Sequence, residues 1–154
     1  MCDESCQEGF EHKKVCEYLK NVGSVVQNFD EPNSIYDIIL PLKILVLKKD
    51  NPERYALIAN FMDHKSERNE YEEYWKDIKH KIVDVILDLE GVEATEEDVL
   101  RAVGLLDTNS HEIHNRNSVT YKGFFPLGAL LSHRCIVNSR QIMGKFPPFP
   151  NICR

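Results

Sequence analysis

The chain of 154 residues is long enough to form one domain of ordinary size with a buried core. Its composition, 42% hydrophobic and 29% charged, is typical of a globular protein and not of a disordered one. A net charge of −6 argues against nonspecific binding to a phosphate backbone, and no apolar run reaches the ~18 residues that would span a membrane, so we expect neither partner.

Residues 1–20 form an acidic, cysteine-bearing segment without the basic-then-apolar order of a signal peptide. We therefore expect an intracellular protein, in the cytoplasm, the nucleus or both, whose five cysteines are thiols or metal ligands. Cys2, Cys6, His12 and Cys16 follow the pattern C-x3-C-x5-H-x3-C, and these donors suit a tetrahedral zinc site. The alternative is four unrelated polar residues near a chain end.

Residues 21–115 are predicted to be a helical region, because apolar residues recur at steps of three and four. The pattern favours four helices, at about 35–47, 53–62, 67–89 and 95–106. Ser34 is a candidate N-cap of the first helix, and Pro41 should kink that helix or start a new one. Pro52 should push Asn51 away from helical geometry and so separate the first helix from the second.

The second helix should place Tyr55, Ile58, Ala59 and Met62 on one side. The third should bury a stripe that consists of Tyr71, Trp75, Ile78, Ile82, Val85, Ile86 and Leu89. An i,i+4 pair of Glu72 and Lys76 should face water. Gly91 then breaks the chain, and Thr95 with Asp98 predicts a capping box that opens the fourth helix.

The remaining residues, from about 108 to 154, are rich in Asn, Ser, Gly, Pro and aromatics, which indicates loops and short strands. An apolar helical turn, Phe125–Leu131, precedes a polar group that consists of Ser132, His133, Arg134, Cys135 and Asn138. Such a group suits the rim of a small-molecule pocket, or equally a hydrogen-bonded histidine and a buried cysteine at a helix end.

His111 and His114 belong to an H-E-x-H sequence, which could suggest a metalloenzyme. Zinc peptidases of that type need the two histidines four residues apart on one helix. The spacing of three in an Asn- and Ser-rich loop predicts surface histidines instead.

Four segments together resemble the SET-and-MYND (SMYD) family, particularly its arthropod-type members. CDESCQEGFEHKKVCEYL resembles the second half of a MYND zinc finger, and YKGFFPLGALLSHRCIVNSR resembles the N-H-S-C-x-P-N motif of SET domains. ILPLKILVLKKDNPERY and GLLDTNSHEI are similar to segments that lie between those motifs. The resemblance extends over essentially the whole chain, and its two ends are the specific parts.

This resemblance implies a mostly α fold with three regions. The C-terminal half of a MYND finger would occupy residues 1–20, a helical insert 21–115, and a partial, β-containing SET core 116–154. The family activity it implies is methyl transfer from S-adenosylmethionine (SAM) to a lysine of a protein substrate.

The resemblance also assigns site residues. Cofactor contacts would come from Asn109, Leu131, Ser132 and His133, and no residue of the chain matches a catalytic one. As metal ligands, it assigns Cys2 and Cys6 to one zinc, His12 and Cys16 to a second, and Cys135 to a third.

Three positions depart from the family motif: Ser132 stands for Asn, Arg134 for Ser and Val137 for Pro. Family segments before the finger and after the motif have no counterpart here, so we expect a fragment that is inactive in methyl transfer. The alternatives are a non-catalytic module that binds a protein or peptide partner, and a truncated gene product.

Overall fold

The computed structural model describes residues 10–20, 35–114 and 120–130, and within them the chain is mostly α-helical, as predicted. The helices are α1 (Phe10–Leu19), α2 (Ile35–Asp50), α3 (Pro52–Ala59), α4 (Lys65–Arg68), α5 (Glu72–Ile78), α6 (Asp84–Leu87), α7 (Glu96–Asn109) and α8 (Pro126–Ala129). A π-helical turn, Lys79–Val83, joins α5 to α6. Two antiparallel strands, β1 (Ser110–His114) and β2 (Thr120–Phe124), form a hairpin. No helix in this part of the chain has the length and apolarity needed to cross a bilayer.

Helix α2 is the central element and packs against α1, α3 and α7. It continues through Pro41 as one helix, so of the two predicted outcomes, a kink or a new helix, the new helix does not occur. Pro41 is itself buried, and its ring adds to the apolar face that also contains Ile38 and Leu42. Burial of this face compensates for the backbone hydrogen bond that proline cannot donate.

The junction between α2 and α3 follows the predicted chemistry. Asn51 leaves helical geometry, and its side-chain oxygen accepts a hydrogen bond from the Arg54 backbone N–H at 3.1 Å. Pro52 occupies the first turn of α3, where no N–H is needed. The helix ends at Ala59 and not at the predicted 62, so Met62 lies outside it and is 62% exposed.

The predicted long helix at 67–89 is divided. The chain leaves helical geometry between α4 and α5, and the π-helical turn then adds one residue to the repeat. This insertion shifts the buried face, so that Ile82 and Val83 within the turn and Ile86 after it are buried. Before it, Tyr71 is 66% exposed, and the prediction that it lies in the core is wrong.

Helix α7 begins at the predicted capping box. Thr95 Oγ1 accepts from the Asp98 N–H at 3.2 Å, and Asp98 Oδ2 accepts from the Thr95 N–H at 3.2 Å. Gly91 has φ +82°, a conformation that glycine adopts without strain, and it turns the chain ahead of α7. These local signals therefore fix where α7 begins.

Two apolar clusters make up the core. The larger joins α1, α2, α7 and the segment around α6, and its buried members are Val15, Ile38, Leu42, Leu45, Val46, Ile82, Val83, Ile86, Leu89, Val99 and Val103. The smaller consists of Ile44, Ile58, Ala102 and Leu106. Phe61 and Phe124 pack against it, and their two rings meet edge to face with centroids 5.9 Å apart. Because Phe124 ends β2, this second cluster ties the hairpin to the helices.

Candidate functional site

Asn109 is the one predicted cofactor residue within the described part of the chain, and it lies at the last position of α7. Its side-chain Nδ2 donates to the Leu105 carbonyl at 2.7 Å and to the Met62 carbonyl at 2.8 Å. Because both neighbouring groups are carbonyl acceptors, the side-chain nitrogen and not the oxygen must face them, and the amide orientation is therefore fixed. Both N–H groups are used, which leaves Oδ1 as the side-chain atom that can bind a ligand.

The segment that supplies the Met62 carbonyl is held by Arg101. The Arg101 guanidinium pairs with the Asp63 carboxylate and donates to the carbonyls of Ala59, at 2.8 Å, and Phe61, at 3.3 Å. Burial favours a higher pKa for Asp63, but the Lys65 N–H and Arg101 hold its pKa below the ordinary value. Arg101 thereby fixes residues 59–63, and with them one of the two acceptors of Asn109.

A second polar network surrounds the same end of α7. Arg68 donates to the Tyr74 hydroxyl at 2.9 Å, to Asp107 at 3.1 Å and to Thr108 at 3.2 Å. The Tyr74 hydroxyl also donates to the Asp107 carboxylate. Burial, then the bond to Asp107, raises the pKa of Tyr74 to about 12. Its hydroxyl therefore stays protonated at neutral pH and serves as a donor in a network that holds the end of α7.

The H-E-x-H residues lie on strand β1, not in a loop, which corrects the prediction for this segment. His111 is half-buried, with its ring 6.2 Å from that of Phe125, so it is not a simple surface histidine. Its Nδ1 is buried without a hydrogen-bond partner in the part of the chain that the structure describes. Opposite it, Gly123 leaves room for the Phe125 ring, because a Cβ at Gly123 would meet that ring at 2.7 Å.

His12 and Cys16 lie one turn apart on α1, as the H-x3-C spacing requires, and Cys16 is an exposed thiol. Two ligands from one helix face make up half of a tetrahedral zinc site. Across residues 10–20, 35–114 and 120–130, no group of three or more potential ligands comes together. Cys2 and Cys6 lie outside the described residues, so the four-ligand arrangement stays a prediction.

The carboxy-terminal candidates are largely outside the described residues as well. Helix α8 spans Pro126–Ala129 and ends before the predicted limit at Leu131. Leu131, Ser132, His133 and Cys135 follow it beyond the described range. Their assignment to cofactor and zinc stays a prediction.

Sequence reasoning missed the residues that hold Asn109 in place. Arg101 lies between the apolar positions of α7 and gives no motif of its own, and Asp63 lies in a short connecting segment. One signal was available: Arg101 shares its helix face with the buried Gly104 and Leu105, three and four residues later, and a partly buried arginine needs acceptors. The sequence alone could not say which segment supplies them.

Comparison of the chain with protein-family models, with curated proteins and with solved structures finds no match.

Proposed function

We propose that this chain is a SET-and-MYND-like protein of the arthropod type, whose family activity is SAM-dependent methyl transfer to a lysine of a protein substrate. We further propose that its cofactor motif is altered, so that SAM binds weakly. The fixed amide of Asn109, directly ahead of a hairpin and the altered motif, is the observation that carries the proposal.

Asn109 Oδ1 accepts no hydrogen bond from the residues that the structure describes, and it fits one part of this cofactor. An amide oxygen accepts hydrogen bonds from N–H groups, and SAM offers N–H donors in its ammonium and its adenine amine. When bound, SAM supplies a methyl group on a positively charged sulfonium. The role of Asn109 would be to orient the cofactor, because it holds no proton that it could transfer.

Two of the three altered motif residues should weaken this binding. Ser132 offers one hydroxyl where the family has an amide with both donors and an acceptor. Arg134 adds a positive charge where the family has a small serine, and this charge would oppose the sulfonium. S-adenosylhomocysteine lacks the sulfonium charge, so Arg134 should penalise it less.

Calorimetric titration tests the proposal with four combinations of protein and ligand. Unaltered chain and the Ser132→Asn/Arg134→Ser variant are each titrated with SAM and with S-adenosylhomocysteine. We expect the unaltered chain to bind SAM more weakly than about millimolar and to prefer S-adenosylhomocysteine, and the variant to bind SAM at least about tenfold more tightly, the gain from one good charge-assisted contact.

Micromolar SAM binding by the unaltered chain would contradict the claim of an altered, weak site. Equal affinities of chain and variant for both ligands would remove support for a SET-type motif at residues 132–138. Asn109→Leu in the variant background is the control for the site, since it removes Oδ1 and should abolish the gain.

A second candidate function is a non-catalytic module that binds a protein or peptide partner. The observation that favours it is the His12 and Cys16 pair on α1, which matches the helical half of a MYND-type finger. Zinc content measured by native mass spectrometry tests this candidate. Two tightly held zinc ions per chain would indicate a working finger, whereas loss of zinc on dialysis would agree with two ligands per metal.

A further inference from the structure

An open apolar depression lies where α2, α3, α7 and the end of the hairpin meet, and we name it the α2–α3 pocket. Its volume is about 280 Å³, and eight of its ten lining residues are apolar. Ile44, Ile58 and Leu106 form its base and are at most 6% exposed. Leu57 lies at its rim and is 71% exposed, so the pocket is bordered by apolar surface that faces water.

The charged side chains of the α2–α3 pocket are both basic, Lys43 and Arg54. This is a local reversal of sign in a chain with a net charge of −6. Other lysines, such as Lys48 and Lys79, form ion pairs with Asp98 and with a glutamate of α7. Lys43 forms no ion pair within residues 10–20, 35–114 and 120–130. The pocket therefore favours a ligand that combines apolar groups with negative charge.

The shape of the pocket favours a peptide over a small molecule. Small-molecule sites usually have volumes of about 300–1,000 Å³ and enclose most of their ligand. The α2–α3 pocket is at the lower end of this range and, unlike such sites, is open along Leu57, which leaves room for one or two apolar side chains of a larger partner. An amphipathic helix that inserts its apolar face into a groove presents such side chains at spacings of three and four residues.

We propose that the α2–α3 pocket docks an acidic, amphipathic helix of a partner protein. Leucine-like side chains of the partner fill the pocket over Ile44 and Leu106, and a neighbouring carboxylate binds Lys43. Of the candidate cofactor and zinc residues that the structure describes, neither Asn109 nor the His12 and Cys16 pair of α1 lines the pocket.

Fluorescence anisotropy with two labelled peptides tests the docking. One peptide carries leucines at helical spacing with glutamates beside them, and the other has lysines in place of the glutamates. The full chain should bind the glutamate peptide, more weakly as salt is raised, and should bind the lysine peptide at least about tenfold more weakly. Leu57→Glu and Lys43→Glu should each reduce the affinity for the glutamate peptide about tenfold.

Met62→Glu is the matched control, because Met62 is similarly exposed, at 62%, and does not line the pocket. It should leave the affinity unchanged. Far-UV circular dichroism checks that every variant is folded. If Leu57→Glu or Lys43→Glu loses helix, Leu57→Ala and Lys43→Met replace them, with the same direction of effect expected.

Four results would overturn the proposal. Equal binding of both peptides, or an equal loss with Met62→Glu, would show that the pocket does not select the ligand. Self-association that Leu57→Glu abolishes, without peptide binding, would assign the pocket to a second copy of the chain. Stoichiometric binding of dodecanoate, without binding of the glutamate peptide, would assign it to a fatty acid.

Discussion

Gly104 lies inside α7 and is buried, although glycine is a poor helix former. The connecting segment at residues 60–64 passes directly over it. A Cβ placed on Gly104 would lie 2.9 Å from the Asp63 carbonyl oxygen and 3.0 Å from the Asp63 Cβ, and both separations are shorter than ordinary van der Waals contact. The close approach of two backbones therefore explains the glycine.

Gly104→Ala brings together two effects of opposite sign. Alanine stabilises a helix interior by about 1 kcal/mol relative to glycine. The new methyl group, however, needs Asp63 to move, and Asp63 is held by Arg101 at its carboxylate and by Arg68 at its carbonyl, at 3.0 Å. Overpacking of this kind costs about 1–3 kcal/mol. We expect a net destabilisation of about 1 kcal/mol, with the steric cost exceeding the gain in helix propensity.

Urea unfolding followed by circular dichroism measures this change. With a slope of about 2 kcal/mol per molar urea, the midpoint should fall by about 0.5 M. The same substitution in an Arg101→Met background should cost less, because the segment at Asp63 is then freer to move, and a double-mutant cycle gives the coupling. A higher midpoint for Gly104→Ala would refute the packing explanation, because the gain in helix propensity would then exceed any steric cost at Asp63.

Four further outcomes follow from the described contacts. Arg101→Met should lower the free energy of unfolding by about 1–3 kcal/mol, since it leaves the largely buried Asp63 carboxylate without its charged partner; urea unfolding measures it, and no change would contradict the tethering role. The pKa of Asp63 is lowered in the folded chain, so its contribution is present above the ordinary pKa of about 4 and is lost as the pH falls below it. Asp63→Asn should accordingly flatten the decline in urea midpoint between about pH 5 and pH 3. Tyr74→Phe should lower the free energy of unfolding by about 1 kcal/mol at neutral pH. Because the pKa of Tyr74 in the folded chain is about 12, this contribution of the hydroxyl should be lost as the pH rises above about 10 in the unaltered chain, whereas the variant has no such contribution to lose. Gly91→Ala should cost about 1–2 kcal/mol because of φ +82°, and Gly91→Asn less, as thermal unfolding can show.

Where a few neighbouring residues determine the backbone, the sequence predicted it correctly. The capping box of Thr95 and Asp98 and the break at Asn51–Pro52 depend on hydrogen bonds and sterics within four residues. The ion pair between Glu72 and Lys76, at 3.0 Å, is likewise set by helical spacing. Such signals need no knowledge of the rest of the fold.

Long-range packing set what the sequence did not predict. The π-helical turn at Lys79–Val83 has no signature in its residues, and the break between α4 and α5 leaves Tyr71 outside a helix and exposed. Helix α3 ends early where Arg101, about forty residues later, binds the Ala59 carbonyl. The strand character of the H-E-x-H segment depends on pairing with β2, which hydrophobic period alone does not reveal.

The two proposed sites can be separated physically, because different parts of the fold support them. Asn109 depends on the Met62 carbonyl and, through residues 59–63, on Arg101, so a change at Arg101 should disturb ligand binding there as well as stability. The Leu57 side chain does not take part in this support of Asn109, since it is exposed at the rim of the α2–α3 pocket. Loss of peptide binding in Leu57→Glu with unchanged nucleoside binding would therefore locate the two functions in different places, and parallel losses in both would mean that the variant has altered the fold.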